Sequence, residues 1–138
     1  MRAEDIELVR RSHAQLRDAT AFGRRFYALL FELQPQARRL FPADMEAQVR
    51  KLTDMVDAIV RGLDRPEELR ATFTALGQRH AGYGVGEADY DDVGAALFKS
   101  LRETLGDAFT PEVEQAWGAV YGDMAEIMIA AQGDLAAE

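Results

Sequence analysis

The sequence predicts an all-α domain, and three observations carry that prediction. Apolar residues recur at helical spacing along nearly the whole chain. No segment alternates strictly between apolar and polar residues, and no Asn-Gly or Asp-Gly hairpin turn occurs. Proline and clustered glycine punctuate the apolar stripes. The 138 residues show no repeat, low-complexity tract or linker, so the expectation is one domain over 1–138.

Each element follows from its pattern. Ile6, Val9, His13 and Leu16 mark a first stripe. A second helix runs from about Thr20 to Gln34 around Phe26, Leu29, Leu30 and Leu33, and Pro35 stops it or starts a short turn. A third carries Met45, Gln48, Leu52, Met55 and Ile59 on one face, with Gly62 near its end. Asp64 is placed to cap a fourth, whose first turn suits Pro66. That helix sets Leu69, Phe73, Leu76 and His80 on one stripe until the glycines of 82–86 break it. Tyr90, Val93, Leu97, Leu101 and Leu105 form a fifth, ended by Gly106. Thr110-Pro111-Glu112 opens the last with a cap, a first-turn proline and an acid at the positive helix end. Val113, Trp117, Val120, Tyr121, Met124, Ile127 and Met128 fill it, and the small polar tail from about 132 is expected to fray. The total is six main helices and one short one.

Composition narrows the function classes. The net charge of −8 argues against nucleic acid or an anionic membrane as partner. With no cysteine, disulfides, zinc–thiolate sites, iron–sulfur clusters and thiol nucleophiles are excluded. The first residues lack the apolar core of a leader peptide, and no apolar run approaches the roughly 20 residues of a membrane span. The expected location is the cytoplasm.

Three polar residues interrupt the apolar faces: Tyr27 on the second helix, Gln48 on the third and His80 on the fourth. An unpaired buried polar group costs about 1–3 kcal/mol, so each needs a partner. A histidine opposite a tyrosine and a glutamine suits a metal cofactor that binds a small ligand. Periodicity alone leaves the other reading open: His80 as a satisfied core residue, Tyr27 bonded to a backbone carbonyl, Gln48 at the boundary. His13 also lies on an apolar stripe, lacks such companions, and reads as structural or partly exposed.

Ordered motifs bear on that choice. Leu33-Gln34-Pro35 with Arg39-Leu40-Phe41, then Gln48-Val49-Arg50-Lys51-Leu52, then Leu76-Gly77-Gln78-Arg79-His80 with Tyr83-Gly84-Val85, follow one another. Tyr90, Val93 and Gly94, then Ala116-Trp117 with Tyr121-Gly122, complete the series. In this order and spacing the chain resembles the globins, in the branch of bacterial hemoglobins, the globin part of flavohemoglobins, and neuroglobin. The resemblance implies a three-over-three helical sandwich binding heme b (iron protoporphyrin IX). It implies His80 as iron ligand through Nε2, with Nδ1–H facing a carbonyl near Leu76. Phe41 would stack on the porphyrin and Leu52 would wall the distal side. Lys51 and Arg79 would pair with propionates or stay solvated. Val85, Tyr90, Val93 and Tyr121 would line the pocket or pack as core. The stretch from Phe41 to Gln48 is short, so the separate small helix many globins place there should be missing.

Departures from the family pattern shape the expected chemistry. Gln48 stands where many globins have a distal histidine, and Tyr27 replaces the more usual apolar partner. Such a pair resembles that of flavohemoglobins and would stabilise dioxygen, giving slow release and high affinity. Tyr27 or Lys51 remains open as a sixth ligand to ferric iron. Tyr90 matches the tyrosine that flavohemoglobins place beside the proximal histidine, whereas the position of their partner glutamate falls on Gln132. No nucleotide-binding glycine motif occurs, so catalysis would need an outside electron donor or reductase. The resemblance thus implies reversible binding of dioxygen, nitric oxide or carbon monoxide. Its alternatives are nitric oxide dioxygenation or nitrite reduction, and gas sensing through a partner.

Overall fold

The structure is a computed structural model that describes residues 2–82, 86 and 88–137, with backbone alone for 82 and 132–137. Six α-helices follow in order: α1 (Ala3–Ala14), α2 (Ala19–Leu33), α3 (Glu46–Arg61), α4 (Pro66–Gly82), α5 (Asp89–Leu105) and α6 (Pro111–Ala137). Two short 3₁₀ helices, Pro35–Leu40 and Gly106–Ala108, lie between them, where one short helix was expected. No strand occurs among the described residues. The tail after Gln132, expected to fray, continues α6 through Ala137.

Most boundaries have the anticipated cause. Asp18, not anticipated from the sequence, caps α2, its side chain accepting from the Ala21 N–H at 2.9 Å. Thr110 caps α6 by accepting from the Val113 N–H at 3.2 Å. Gly106 ends α5 with φ of 58°, a left-handed conformation that favours glycine. Asp64 is the exception. Its carboxylate accepts from Arg10 at 3.0 Å, and α4 starts at Pro66 without it. Arg10 also donates to the carbonyls of Val60 and Arg61, so Asp64 serves the junction of α1 with the end of α3.

The helices pack in two groups. α6 lies against α4 and α1, while α2 lies against α5 and α3. The first group encloses Val9, Phe22, Phe73, Leu101 and Trp117. Full burial of one such side chain contributes about 1.5–3 kcal/mol. The indole of Trp117 donates to Ser12 Oγ at 2.8 Å, so the one buried indole N–H is satisfied. At Gly77 the helices α4 and α6 nearly touch. A Cβ there would sit 2.6 Å from the Met128 carbonyl oxygen. That contact places α4, and with it His80, against α6.

The second cluster lies between α2, α3 and α5. Phe26, Tyr27, Leu29, Leu30, Val49 and Ala96 are buried in it. Phe31, Phe41, Met45, Leu52 and Val93 pack on its edge and stay partly exposed. As expected, no helix separates Phe41 from α3, and residues 41–45 form an irregular link.

Candidate functional site

Tyr27 reaches the second cluster because α2 is capped at Asp18 and turns Phe22, Phe26, Tyr27 and Leu30 inward. Gln48 reaches it from the first turn of α3. The Gln48 Nε2 donates to the Tyr27 hydroxyl at 3.0 Å. The phenol accepts that bond, so its own proton is left to donate, and no acceptor among the described residues takes it. Burial pushes the Tyr27 pKa up, and the bond from Gln48 partly opposes the shift. The group is a neutral donor at physiological pH.

Aromatic rings surround this pair. Tyr27 meets Phe26 edge-on at 5.1 Å, Phe41 edge-on at 5.5 Å, and Phe31 at 6.0 Å. Contacts of this kind add about 0.5–1.5 kcal/mol each beyond burial. Leu52 and Val93 complete the apolar surface around the Tyr27 phenol. Val93, left open between lining and core, packs with the Tyr27 cluster.

His80 sits in the last turn of α4 and is half-buried. Its Nδ1 lies 2.7 Å from the Leu76 carbonyl. A carbonyl only accepts, so in the neutral ring Nδ1 carries the proton and Nε2 carries the lone pair. A backbone bond of this kind fixes both tautomer and ring orientation for a metal-ligating histidine. His13, by contrast, is half-buried beside Asp57 and Arg61, and burial holds its pKa down.

The other anticipated residues divide. Leu76 is buried in the first cluster, and its carbonyl orients His80. Tyr90 is buried in the same cluster, and burial pushes its pKa up. The Tyr121 hydroxyl donates to the Tyr90 backbone carbonyl at 2.6 Å, so its polar end ties α6 to α5. Lys51 and Arg79 are exposed, and no carboxylate among the described residues pairs with either. Val85, with the rest of the Tyr83-Gly84-Val85 motif, and the Gln132 side chain lie outside the described residues.

Sequence reasoning missed three contributors. Phe31 follows Tyr27 by one helical turn, a spacing that marks a shared face. Gln34 was noted only within a motif. Its Nε2 donates to Asp89 Oδ1 and Asp92 Oδ2, each at 2.8 Å, and so joins the end of α2 to the start of α5. Arg38 binds the link after the 3₁₀ helix, and nothing in an Arg-Arg pair signals that role.

A helical fold with an oriented imidazole on one element and two donors in an aromatic cluster defines a class: a domain built to hold a flat, metal-containing cofactor. Comparison with known proteins narrows it. The Globin family model matches residues 24–128. The chain is 32% identical over 113 residues to a flavohemoprotein of Rhizobium meliloti, a match covering 80% of this chain and 28% of that protein. Among solved structures, an engineered carbene transferase of Rhodothermus marinus, a candidate nitric oxide dioxygenase, is similar with a TM-score of 0.87. It shares 30% identity, with 99% of this chain and 96% of that chain covered. A bacterial globin from Campylobacter jejuni superposes with a TM-score of 0.86 at 21% identity, over 99% of this chain and all of that one. The chain belongs to the globin family.

Globins fold around a heme pocket and hold the iron by a proximal histidine, so heme is the prosthetic group of this chain. Its residues fit that group. The His80 tautomer leaves Nε2 as a metal donor. Phe41, Leu52 and Val93 offer apolar surface that the protein itself leaves partly uncovered. No helix of the described residues is long and apolar enough to cross a membrane.

Proposed function

We propose that this globin binds dioxygen reversibly and with high affinity at a heme held by His80. The 3.0 Å bond from Gln48 to the Tyr27 hydroxyl carries the reading, because it leaves the phenolic proton to donate in an apolar surround. Heme supplies the ligand-binding and redox chemistry when bound. His80 would hold the iron through its Nε2, with the ring oriented by the Leu76 carbonyl. Phe41, Leu52 and Val93 would form the apolar walls, with Tyr90 and Tyr121 beyond them. Lys51 and Arg79, exposed and with no carboxylate partner among the described residues, would meet the propionates. Tyr27 and Gln48 stabilise negative charge that builds on a diatomic ligand, each by about 1–3 kcal/mol in a dry pocket.

A second reading uses the same residues for nitric oxide dioxygenation, in which nitric oxide, dioxygen and one electron give nitrate. The likeness to a flavohemoprotein and to the Rhodothermus marinus protein favours it. The chain spans 28% of the length of the flavohemoprotein it matches, and this activity needs one electron delivered to the heme for each turnover. The missing cysteines and acidic balance support a cytoplasmic setting.

The test is spectroscopic. Purified protein reconstituted with hemin should show a Soret band that His80→Ala abolishes and added imidazole restores. A reconstituted chain without that band refutes the reading. Sustained nitric oxide consumption with a reductase, against oxygen binding without turnover, separates the two functions.

A further inference from the structure

The link between Phe41 and α3 is irregular, and Pro42 within it has no N–H to enter a helical ladder. Its carbonyls therefore need donors from elsewhere. One side chain supplies them. Arg38 donates through Nη1 to the carbonyls of Phe41 at 3.2 Å and Pro42 at 2.9 Å, and through Nη2 to that of Ala43 at 3.1 Å. Three successive carbonyls thus converge on one planar guanidinium, a geometry its rigid fork of donors suits and a lysine ammonium does not. The same guanidinium lies 5.4 Å from the centre of the Phe31 ring. Phe31 in turn meets Phe41 at 5.5 Å and Tyr27 at 6.0 Å. Just past the clamp, Asp44 accepts from the Glu46 N–H at 3.0 Å, where α3 begins.

We propose that Arg38 is a positioning residue for the heme pocket: it takes over the task of the missing small helix by fixing the path from Phe41 into α3. The inference rests on the heme reading above. Arg38 does not touch the ligand. It sets where Phe41 lies against Tyr27, and which turn of α3 brings Gln48 to the Tyr27 hydroxyl. Its loss releases three carbonyls to water and lets the link slide.

The experiment uses hemin-loaded protein and two readouts, transfer of hemin to excess apomyoglobin and the carbon monoxide stretching band of the ferrous carbonyl form. Arg38→Ala should lose hemin about tenfold faster, the scale of one lost charge-assisted hydrogen bond. Its carbon monoxide band should broaden and move toward that of Tyr27→Phe. Arg38→Lys should fall between Arg38→Ala and the wild type. Arg25→Ala, which removes an exposed pair with Glu103 between α2 and α5, should leave both readouts unchanged. Wild-type values in a folded Arg38→Ala overturn the proposal, as does a lower melting temperature with both readouts unmoved. Where Arg38→Ala does not fold, Arg38→Lys decides by the same criteria. A wild-type chain that takes up no hemin overturns the heme reading and this proposal together; a wild-type Soret band with unaltered Arg38 variants overturns this proposal alone.

Discussion

Replacing Tyr27 with phenylalanine removes one hydroxyl and keeps the ring, so the edge-on contacts at 5.1 and 5.5 Å survive. Gln48 loses its acceptor, but it is half-buried and can turn to water. Fold stability should therefore change by less than about 1 kcal/mol. Ligand release should change far more. A buried donor facing negative charge in an apolar cluster contributes about 1–3 kcal/mol, which converts to roughly 5- to 150-fold in rate. Stopped-flow displacement of dioxygen by carbon monoxide reads that rate directly. Burial also holds the Tyr27 pKa above its ordinary value of 10.0, and only the protonated phenol donates. Release from the wild type should thus stay flat as pH rises to about 10. An intact Soret band with an unchanged release rate in Tyr27→Phe would refute the donor role.

Two further outcomes concern the frame around the site. Gly77→Ala places a Cβ 2.6 Å from the Met128 carbonyl oxygen, and the three nearest atoms all belong to the Met128 backbone, so α4 and α6 must part. Stability should fall by about 1–3 kcal/mol in chemical denaturation, and hemin should be held less firmly because His80 rides on the same helix. A variant as stable as the wild type would show that α4 shifts freely. The second concerns His13, whose folded pKa lies below its ordinary 6.5 because burial disfavours the imidazolium, with Arg61 adding to the effect and Asp57 opposing it. Its contribution is complete above about 6.5 and is lost as pH falls through the lowered folded value. His13→Gln should therefore show a smaller drop in melting temperature between about pH 7 and 5; an equal drop would assign the acid sensitivity to other groups.

The helices were legible because their causes are local. The Thr110 cap, the Gly106 stop and the apolar stripes each act within a few residues. The missing small helix was legible from the short span between Phe41 and Gln48. The His80 bond to Leu76 follows from an i−4 spacing, and the Tyr27–Gln48 pair from two polar interruptions that had to meet something. What escaped was held by longer reach. Asp64 has the chemistry of a cap, and only the packing of α1 brings Arg10 to it from 54 residues away. The two bonds of Gln34 depend on how α2 meets α5. Arg38 is close to its partners in sequence, but those partners are backbone carbonyls, which every residue carries and no pattern marks.

The direction of the Gln48–Tyr27 bond ranks the two distal residues. Gln48 donates a hydrogen bond to the phenol oxygen, so the amide and the hydroxyl form a donor chain that ends on the phenolic proton. Hydrogen bonds in series polarise one another, and the bond from Gln48 draws the Tyr27 pKa down from where burial alone would set it. A phenol pulled in that direction is a better donor. Gln48 therefore acts partly through Tyr27, and its own reach toward a ligand competes with the bond it already makes. On the proposed reading the donor offered to the ligand is then Tyr27, held by Phe26, Phe31 and Phe41 and tuned by Gln48. His80, for its part, has its tautomer fixed by a backbone carbonyl rather than by a carboxylate. A carbonyl orients the ring without transferring charge to it, so on the proposed reading Tyr27 and Gln48 are the residues that tune the bound ligand.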